Sequence, residues 1–425
     1  MNDLLRFIDS SPSPFHAVDS LCRRLADAGY VRLAENAPWQ LAPGGKYFVT
    51  RNGSALAAFR VPRTDFAGFL ISAAHSDVPT FRIKERPEME GPDGYIRLNT
   101  EGYGGMLCAP WLDRPLTVAG RALVRTGSAI ETRLVYVDRD LLMIPNVAIH
   151  MNRSANDGYK YDRKCDMVPL MGLGESKGAF LAAVAQAANC AEDDILGYDL
   201  VLVPRQKGLV WGASEEFVSS PRLDDLQCAY GCFQGFLAAS DSGSLPVFAL
   251  LDNEEVGSLT KQGADGTFLS DVVERICAAT GRDRSCAVAN SFLVSADNAH
   301  AVHPNHPEYA DPTNRPVMNG GVVIKHGVRY ATDGAAQAVF VALCRRAGVP
   351  VQHYANRSDM AGGSTLGNIS NAHVSLNTVD IGLAQLAMHS CFETAGAKDT
   401  DYLVRAMTAY YSASLREENG TFTLA

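Results

Sequence analysis

The chain has 425 residues, 20% of them charged and 47% hydrophobic, with a formal net charge of −9. That length suits two or three domains with full cores, and the composition is ordinary for a soluble globular protein. The negative balance argues against a general nucleic-acid binder and against attachment to an anionic membrane surface. Ten cysteines are scattered without a Cys-x-x-Cys pair, so reduced thiols and a cytoplasmic setting are expected. Residues 1–9 lack the long apolar core of a signal peptide, and the stretch 178–191 is too short and polar to span a bilayer.

Residues 4–30 carry a helical pattern interrupted by Ser10-Ser11-Pro12-Ser13-Pro14. The proline pair should end one short helix and let the next begin near Phe15. Strands are expected over 46–50 and 55–61, with Asn52-Gly53 as the hairpin turn between them. The apolar run 68–74 reads as a buried strand that ends in His75-Ser76-Asp77. Side chains two apart share a strand face, so Asp77 is placed to orient the His75 ring. A lone histidine in that setting is ordinarily structural.

From about 81 to 208 the character changes to short β-like pieces (95–99, 116–124 and 131–137), frequent glycines and charged turns. This segment reads as a β-rich insertion, 84–208, dividing an α/β domain made of 1–83 and 209–425. Gly172, Gly174 and Gly178 fit neither a dinucleotide fingerprint nor a Walker sequence and are taken as a turn into a helix.

A further helix is expected to about residue 239, with Asp224 and Asp225 in its first turn. Helix dipoles favour carboxylates there, but two adjacent aspartates exceed what capping requires. The stretch 245–258 organises the chain. It opens as an apolar strand, breaks into Asp252-Asn253-Glu254-Glu255 and turns at Gly257. Adjacent side chains at a strand end point different ways, so one glutamate can bind a metal while the other faces a substrate water. Alone, such an acidic loop is usually a solvated turn.

A third apolar strand ends in Asp297, followed by His300; Pro304 and Pro307 break helical continuity, so His303 and His306 are read as loop. Residues 322–330 suggest a strand or hairpin bringing Lys325 and Tyr330 to one edge. A helix over 334–347 and a strand over 351–354 follow. The small residues of 358–365 suit a helix N-terminus facing a ligand. A last strand is expected over 373–380, and Met388-His389-Ser390 is expected to open a long C-terminal helix ending near 414.

In a doubly wound sheet, C-terminal strand ends and helix N-termini converge on one edge. His75, Asp224, Glu254, Glu255, Asp297 and His389 would then gather as ligands for two divalent cations. Mixed nitrogen and oxygen ligation suits zinc, and also manganese or cobalt. Magnesium sites rely more on carboxylates, water and a phosphate substrate.

In order along the chain stand Ser11-Pro-Ser-Pro-Phe-His-Ala-Val18, Ala74-His-Ser-Asp77, Tyr103-Gly-Gly105, Trp111-Leu-Asp-Arg114 and Ile149-His-Met-Asn-Arg153. Pro221-Arg-Leu-Asp224, Asp252-Asn-Glu-Glu-Val-Gly-Ser258, Ser295-Ala-Asp-Asn-Ala-His300, Gly363-Ser-Thr365 and Met388-His-Ser390 continue the series. With these motifs the chain resembles the aspartyl aminopeptidases over nearly its whole length. The resemblance implies an α/β fold: a three-layer α/β/α metallopeptidase domain with a mixed sheet, interrupted by a β-rich dimerisation domain. It implies removal of N-terminal Asp or Glu from peptides with a free N-terminus, using two divalent cations per subunit.

By position, the resemblance makes His75 and His389 ligands of one metal each, Asp224 the bridge, Glu255 and Asp297 further ligands, and Glu254 the general base. It makes His150, His300, Lys325 and Tyr330 substrate contacts, with His150 reaching into an adjacent subunit and Lys325 matching an acidic first side chain. It also implies a cytosolic homo-oligomer, a dodecamer built from dimers. Two rival readings stand beside it. One is the same site with neutral or broader specificity, or a deacylase; the other is a non-catalytic scaffold or metal-storage protein.

Overall fold

Side-chain alternation builds the central layer. In the strand Phe69–His75, Phe69, Ile71 and Ala73 pack to one side and Leu70 and Ala74 to the other. That is the period-two pattern of a strand buried on both faces. The computed structural model describes residues 1–360, 362–363 and 365–425, so Ser364 of the Gly363-Ser-Thr365 motif lies outside the described residues.

Among the described residues, nine strands form the main sheet, in the order Val31–Arg32, Lys46–Arg51, Ala55–Arg60, Leu245–Leu251, Phe69–His75, Phe292–Ala296, Asn377–Gly382, Val322–His326 and Val351–Ala355. The sheet is mixed, as expected. Its centre, from Leu245–Leu251 to Asn377–Gly382, is parallel, so four strands release their C-terminal residues along one edge. Register pairs Leu251 with His75. The acidic turn after one strand and the histidine of the next are therefore level.

Helices cover both faces. Leu223–Ala238, Gly334–Arg346 and Asp399–Tyr411 pack one side of the sheet with the two N-terminal helices, Asn2–Asp9 and Pro14–Asp27. Phe268–Thr280, Arg284–Ala289 and Leu366–Asn371 cover the other. This is the expected three-layer α/β/α arrangement. Among the described residues no helix is long and apolar enough to cross a membrane.

A second, antiparallel sheet runs Ala129–Tyr136, Leu116–Thr126, Ile195–Pro204, Thr80–Glu90, Tyr95–Tyr103 and Leu170–Leu173. It has its own core around Phe81, Trp111, Phe180 and Leu200. A third sheet joins Leu209–Trp211, Phe217–Ser220, Glu393–Gly396, Ala384–Leu386 and Ala299–His300. Its strands are too short to leave a periodic signal.

The structure departs from expectation in several places. His389 opens no helix. It sits in the turn between Ala384–Leu386 and Glu393–Gly396, with φ of 66°. Those strands pair antiparallel, Gln385 against Ala395, and the chain must reverse between them; the helix begins only at Asp399. Residues 322–330 are a strand and a turn, since Val322–His326 pairs with Val351–Ala355 and Asn377–Gly382 instead of folding back on itself. Asp224 and Asp225 have non-helical dihedrals, so the regular helix starts after them, and the peptide between them is cis.

The Asp399–Tyr411 helix is tied to the sheet by a buried phenol. Tyr410 Oη donates towards the carbonyls of Ile71 (2.8 Å) and Phe292 (2.7 Å). Tyr410→Phe keeps the packing and removes the donor. It should cost about 1 kcal/mol or more, read as a lower melting temperature; an unchanged melting curve would show the hydroxyl to be dispensable.

Candidate metal centre

Five elements deliver polar groups to the C-terminal edge of the parallel strands. His75 ends Phe69–His75, Glu254 and Glu255 follow Leu245–Leu251, and Asp297 follows Phe292–Ala296. Asp224 enters from the start of its helix and His389 from the turn of the third sheet. Every sequence-predicted ligand falls within one of three overlapping groups: His75, Asp224, Asp225 and Asp297; His75, Glu254 and Glu255; and Asp224, Glu255 and His389. Ligand atoms within each group lie within 4.8 Å of one another.

Hydrogen bonding sets the tautomer of both rings. His75 Nδ1 lies 3.1 Å from the carbonyl oxygen of Asp77, and a carbonyl can only accept, so Nδ1 carries the proton. The lone pair at Nε2 then faces Asp224 Oδ1 at 3.4 Å and Asp297 Oδ1 at 3.8 Å. His389 repeats the pattern. Its Nδ1 donates to the carbonyl of Gly105 at 2.8 Å, leaving Nε2 towards Glu255 Oε2 (3.4 Å) and Asp224 Oδ2 (3.7 Å). Asp224 thus turns one oxygen to each imidazole. A lone pair facing carboxylate oxygens is repulsive unless a proton or a cation lies between them.

The electrostatics say the same. Burial pushes Glu254 up to about 7, and burial with Asp224 close by pushes Glu255 well above the carboxylate range. Burial alone would lower His75, yet the carboxylates of Asp224, Asp297 and Asp77 raise it well above its usual value. Glu254, Glu255 and the His75 imidazole all favour their protonated forms here, the behaviour of a site short of positive charge. Asp224 Oδ1 and Asp225 Oδ1 are buried without a hydrogen-bond partner. Orphaned carboxylate oxygens, two oriented imidazoles and neighbouring glutamates fit divalent cations of the zinc type.

A surrounding frame holds these groups. The Asp77 carboxylate accepts the backbone N–H groups of Glu254 (3.0 Å) and Glu255 (3.1 Å) and the phenol of Tyr103 (2.7 Å). Its expected partner, the His75 ring, is held chiefly by the Asp77 carbonyl. Tyr103 Oη in turn accepts from Asn253 Nδ2 at 2.8 Å. Glu393 accepts from the backbone N–H of Asp224 (3.0 Å) and of His389 (2.8 Å), and Asp225 Oδ2 accepts from that of His75 at 3.1 Å. Glu393 and this use of Tyr103 escaped the sequence reading, because Glu393 reaches Asp224, and Tyr103 reaches Asp77 and Asn253, only through the tertiary fold. Gly104 has φ of +77°, and a Cβ there would meet Glu255 Cβ at 3.2 Å; only glycine lets this segment pass so close.

The proposed substrate contacts are divided. Lys325, Tyr330 and His300 line the same pocket as the cluster, with a volume of about 200 Å³. Lys325 is buried and donates to Asp297 Oδ2 at 3.1 Å. Burial alone would raise Asp297, but the Lys325 ammonium holds it well below the usual carboxylate range. The lysine is therefore already engaged with a candidate ligand. His150 is exposed in a turn of the second sheet's connections and does not line this pocket.

A family profile described as aminopeptidase I zinc metalloprotease (M18) matches residues 7–411. The chain is 44% identical to a probable M18 family aminopeptidase 2 of Clostridium acetobutylicum over 422 residues, covering 96% of this chain and 98% of that protein. Among solved structures it is similar to that of the Ape4 and Nbr1 complex, with a TM-score of 0.93 at 34% identity, covering 96% of this chain and 85% of the other. It is also similar to the S. cerevesiae mApe1 dodecamer, with a TM-score of 0.85 at 29% identity, covering 96% and 95%.

Tyr103 tests the frame. Tyr103→Phe removes a donor from a buried carboxylate, a loss of about 1–3 kcal/mol, and frees the Glu254-Glu255 turn. Zinc affinity measured by competition with a chelating dye should fall, although Tyr103 is no ligand; unchanged affinity and melting would show the phenol to be incidental.

Proposed function

We propose, for a chain that belongs to the M18 family of aminopeptidase I zinc metalloproteases, that this pocket removes aspartate or glutamate from the free N-terminus of peptides. The observation that carries the hydrolytic part is the pair of oriented imidazoles facing opposite oxygens of Asp224, with Glu254 beside them. On this reading two divalent cations, zinc in keeping with the family's description, are held by His75 with Asp297 and by His389 with Glu255. Asp224 is shared between them. Bound there, the cations supply Lewis acidity that acidifies water and polarises a carbonyl oxygen.

The chain's own groups do the rest. Glu254 takes a proton from the attacking water and passes it to the leaving amine. His300 at the rim, or His150 from a second copy of the chain, donates to the developing oxyanion. Site carboxylates hold the α-amino group, which restricts cleavage to the first residue. Lys325 has three donor hydrogens, and Asp297 accepts from the ammonium, so donor capacity remains for an acidic first side chain. Residues 84–208 are the unit through which copies pair, and the dodecamer named for mApe1 is the assembly proposed. We place the protein in the cytoplasm, in keeping with its unpaired cysteines.

A second reading, neutral specificity at the same site, draws on the Lys325–Asp297 pair, since that lysine also serves a candidate ligand. Aspartyl-, glutamyl- and leucyl-peptides with free and blocked N-termini separate the two. Chelator-sensitive release of acidic residues from free N-termini alone supports the first reading; preferential release of leucine supports the second. No hydrolysis with zinc bound would leave the scaffold reading.

Glu254→Gln should lower turnover by at least about a hundredfold while bound zinc, counted by elemental analysis, stays the same. Burial pushes Glu254 up to about 7 and the positive charge of bound cations would draw it down, so the acid limb of the wild-type kcat/KM profile should have its midpoint at or below that pH. Near-normal turnover in the variant would remove Glu254 from the role of base. Lys325→Met should narrow the Asp-over-Leu ratio in kcat/KM by about tenfold or more; an unaltered ratio would take Lys325 out of the first-residue pocket.

A further inference from the structure

Beyond the catalytic pocket the cleft continues. His300, Tyr354, Gly363 and Met388 line both that pocket and a second cavity of about 320 Å³. The walls of this annex are stitched together by backbone hydrogen bonds, Val302 N–H to Pro316 O at 2.8 Å and Ala355 N–H to Asn314 O at 3.3 Å. Its basic lining residues are His300, His303, His306, Arg315 and Arg357, with the phenols of Tyr309 and Tyr354 beside them, and among the described residues no carboxylate lines it. In a chain of net charge −9, next to a carboxylate-rich centre, that is a local reversal of sign.

The nearby acids are turned to other tasks. Arg357 is forked by Asp359, with Nε to Oδ1 at 2.6 Å and Nη2 to Oδ2 at 2.8 Å, and this fixes the guanidinium. Glu308 takes His306 Nδ1 at 3.0 Å. Asp311 Oδ1 accepts the backbone N–H groups of Thr313 (3.0 Å) and Asn314 (2.7 Å). Arg315 is exposed, and among the described residues no carboxylate is paired with it. His303 Nδ1 accepts from the N–H of Asn305 at 3.2 Å, so its proton sits on Nε2 as a donor. His306 stacks on Tyr309 with ring centroids 5.4 Å apart.

We propose that this annex is a carboxylate-recognising subsite for the part of the peptide beyond the scissile bond, centred on Arg315 and His303. It rests on the aminopeptidase reading above. The first residue occupies the pocket beside Lys325, and the remaining chain leaves past His300 and Met388 into the annex. There an acidic side chain, or the C-terminal carboxylate of a short peptide, meets the arginine. The substrate class is thereby narrowed to peptides carrying a second negative charge downstream of the first residue.

The test uses zinc-loaded, full-length protein and two sets of peptides varied independently. One set keeps aspartate first and changes the third residue, Asp-Ala-Asp-Ala-amide against Asp-Ala-Asn-Ala-amide. The other keeps the third residue neutral and changes the first between aspartate and leucine. Wild type should favour the downstream acid by about three- to tenfold in kcat/KM, chiefly through KM. The same peptides should show that ratio in affinity for the Glu254→Gln protein. Arg315→Gln should bring the downstream ratio close to one, and Arg416→Gln, in the hairpin of strands Leu415–Glu418 and Thr421–Leu424, should not.

Equal rates for the two downstream peptides in wild type would overturn the proposal, as would a ratio that survives Arg315→Gln and His303→Gln together. A change in the Asp-over-Leu ratio with no change downstream would also overturn it, by placing Arg315 at the first residue. If leucine proves to be the preferred first residue, Leu-Ala-Asp-Ala-amide against Leu-Ala-Asn-Ala-amide carries the same downstream comparison. The two readings therefore fail separately.

Discussion

Crowded negative charge is the constraint on which the rest of this structure depends. Asp224, Asp225, Glu254, Glu255 and Asp297 converge around two imidazoles, and much of this group is buried or nearly so. Without positive charge between them such groups repel or take up protons. Among the described residues the fold supplies one ammonium here, that of Lys325, paired with Asp297. The remainder is left to bound cations. This explains why the surrounding frame is built mainly from backbone amides. An N–H group stabilises a carboxylate without adding a competing ligand, and Asp77, Glu393 and Asp225 each accept one or more of them.

The second sheet is part of this frame. Its strand Tyr95–Tyr103 ends with the phenol on Asp77, and the two glycines that follow bring a carbonyl to the His389 ring and backbone against Glu255. A site assembled across two sheets depends on their docking. Arg121 contributes to it, extending from the second sheet to Asn52 of the first and lying over Phe15, with its guanidinium carbon 4.3 Å from the ring centroid. Movement between the sheets would reach the ligands directly, through Asp77 and Gly105.

Charge is also partitioned along the cleft. The centre is rich in carboxylates, Lys325 is paired with Asp297 beside it, and the annex beyond His300 is lined by basic side chains. On the proposed reading, each segment of a bound peptide would meet a different sign of potential. Such alternation fixes orientation and register more effectively than it raises affinity.

Much of this was legible in the sequence. Apolar runs that stop at His75, at Glu254 and at Asp297 report buried parallel strands, because a strand covered on both faces must be continuously apolar and its polar end marks the sheet edge. Periodicity marks the helices as well, whereas the three-layer arrangement with a mixed central sheet was implied by the metallopeptidase family that the ordered motifs resemble. What tertiary structure decided was everything carried by short or distant pairings. His389 looked like a helix start and is a strand-to-strand turn, since three- and four-residue strands carry too little pattern to be read. Glu393, Tyr103 and the second role of Lys325 are set by contacts between segments 26 to 169 residues apart. Local propensity reports which way a side chain faces on its own element. Only packing decides which other element it meets, and at this centre that meeting determines where the charge is held.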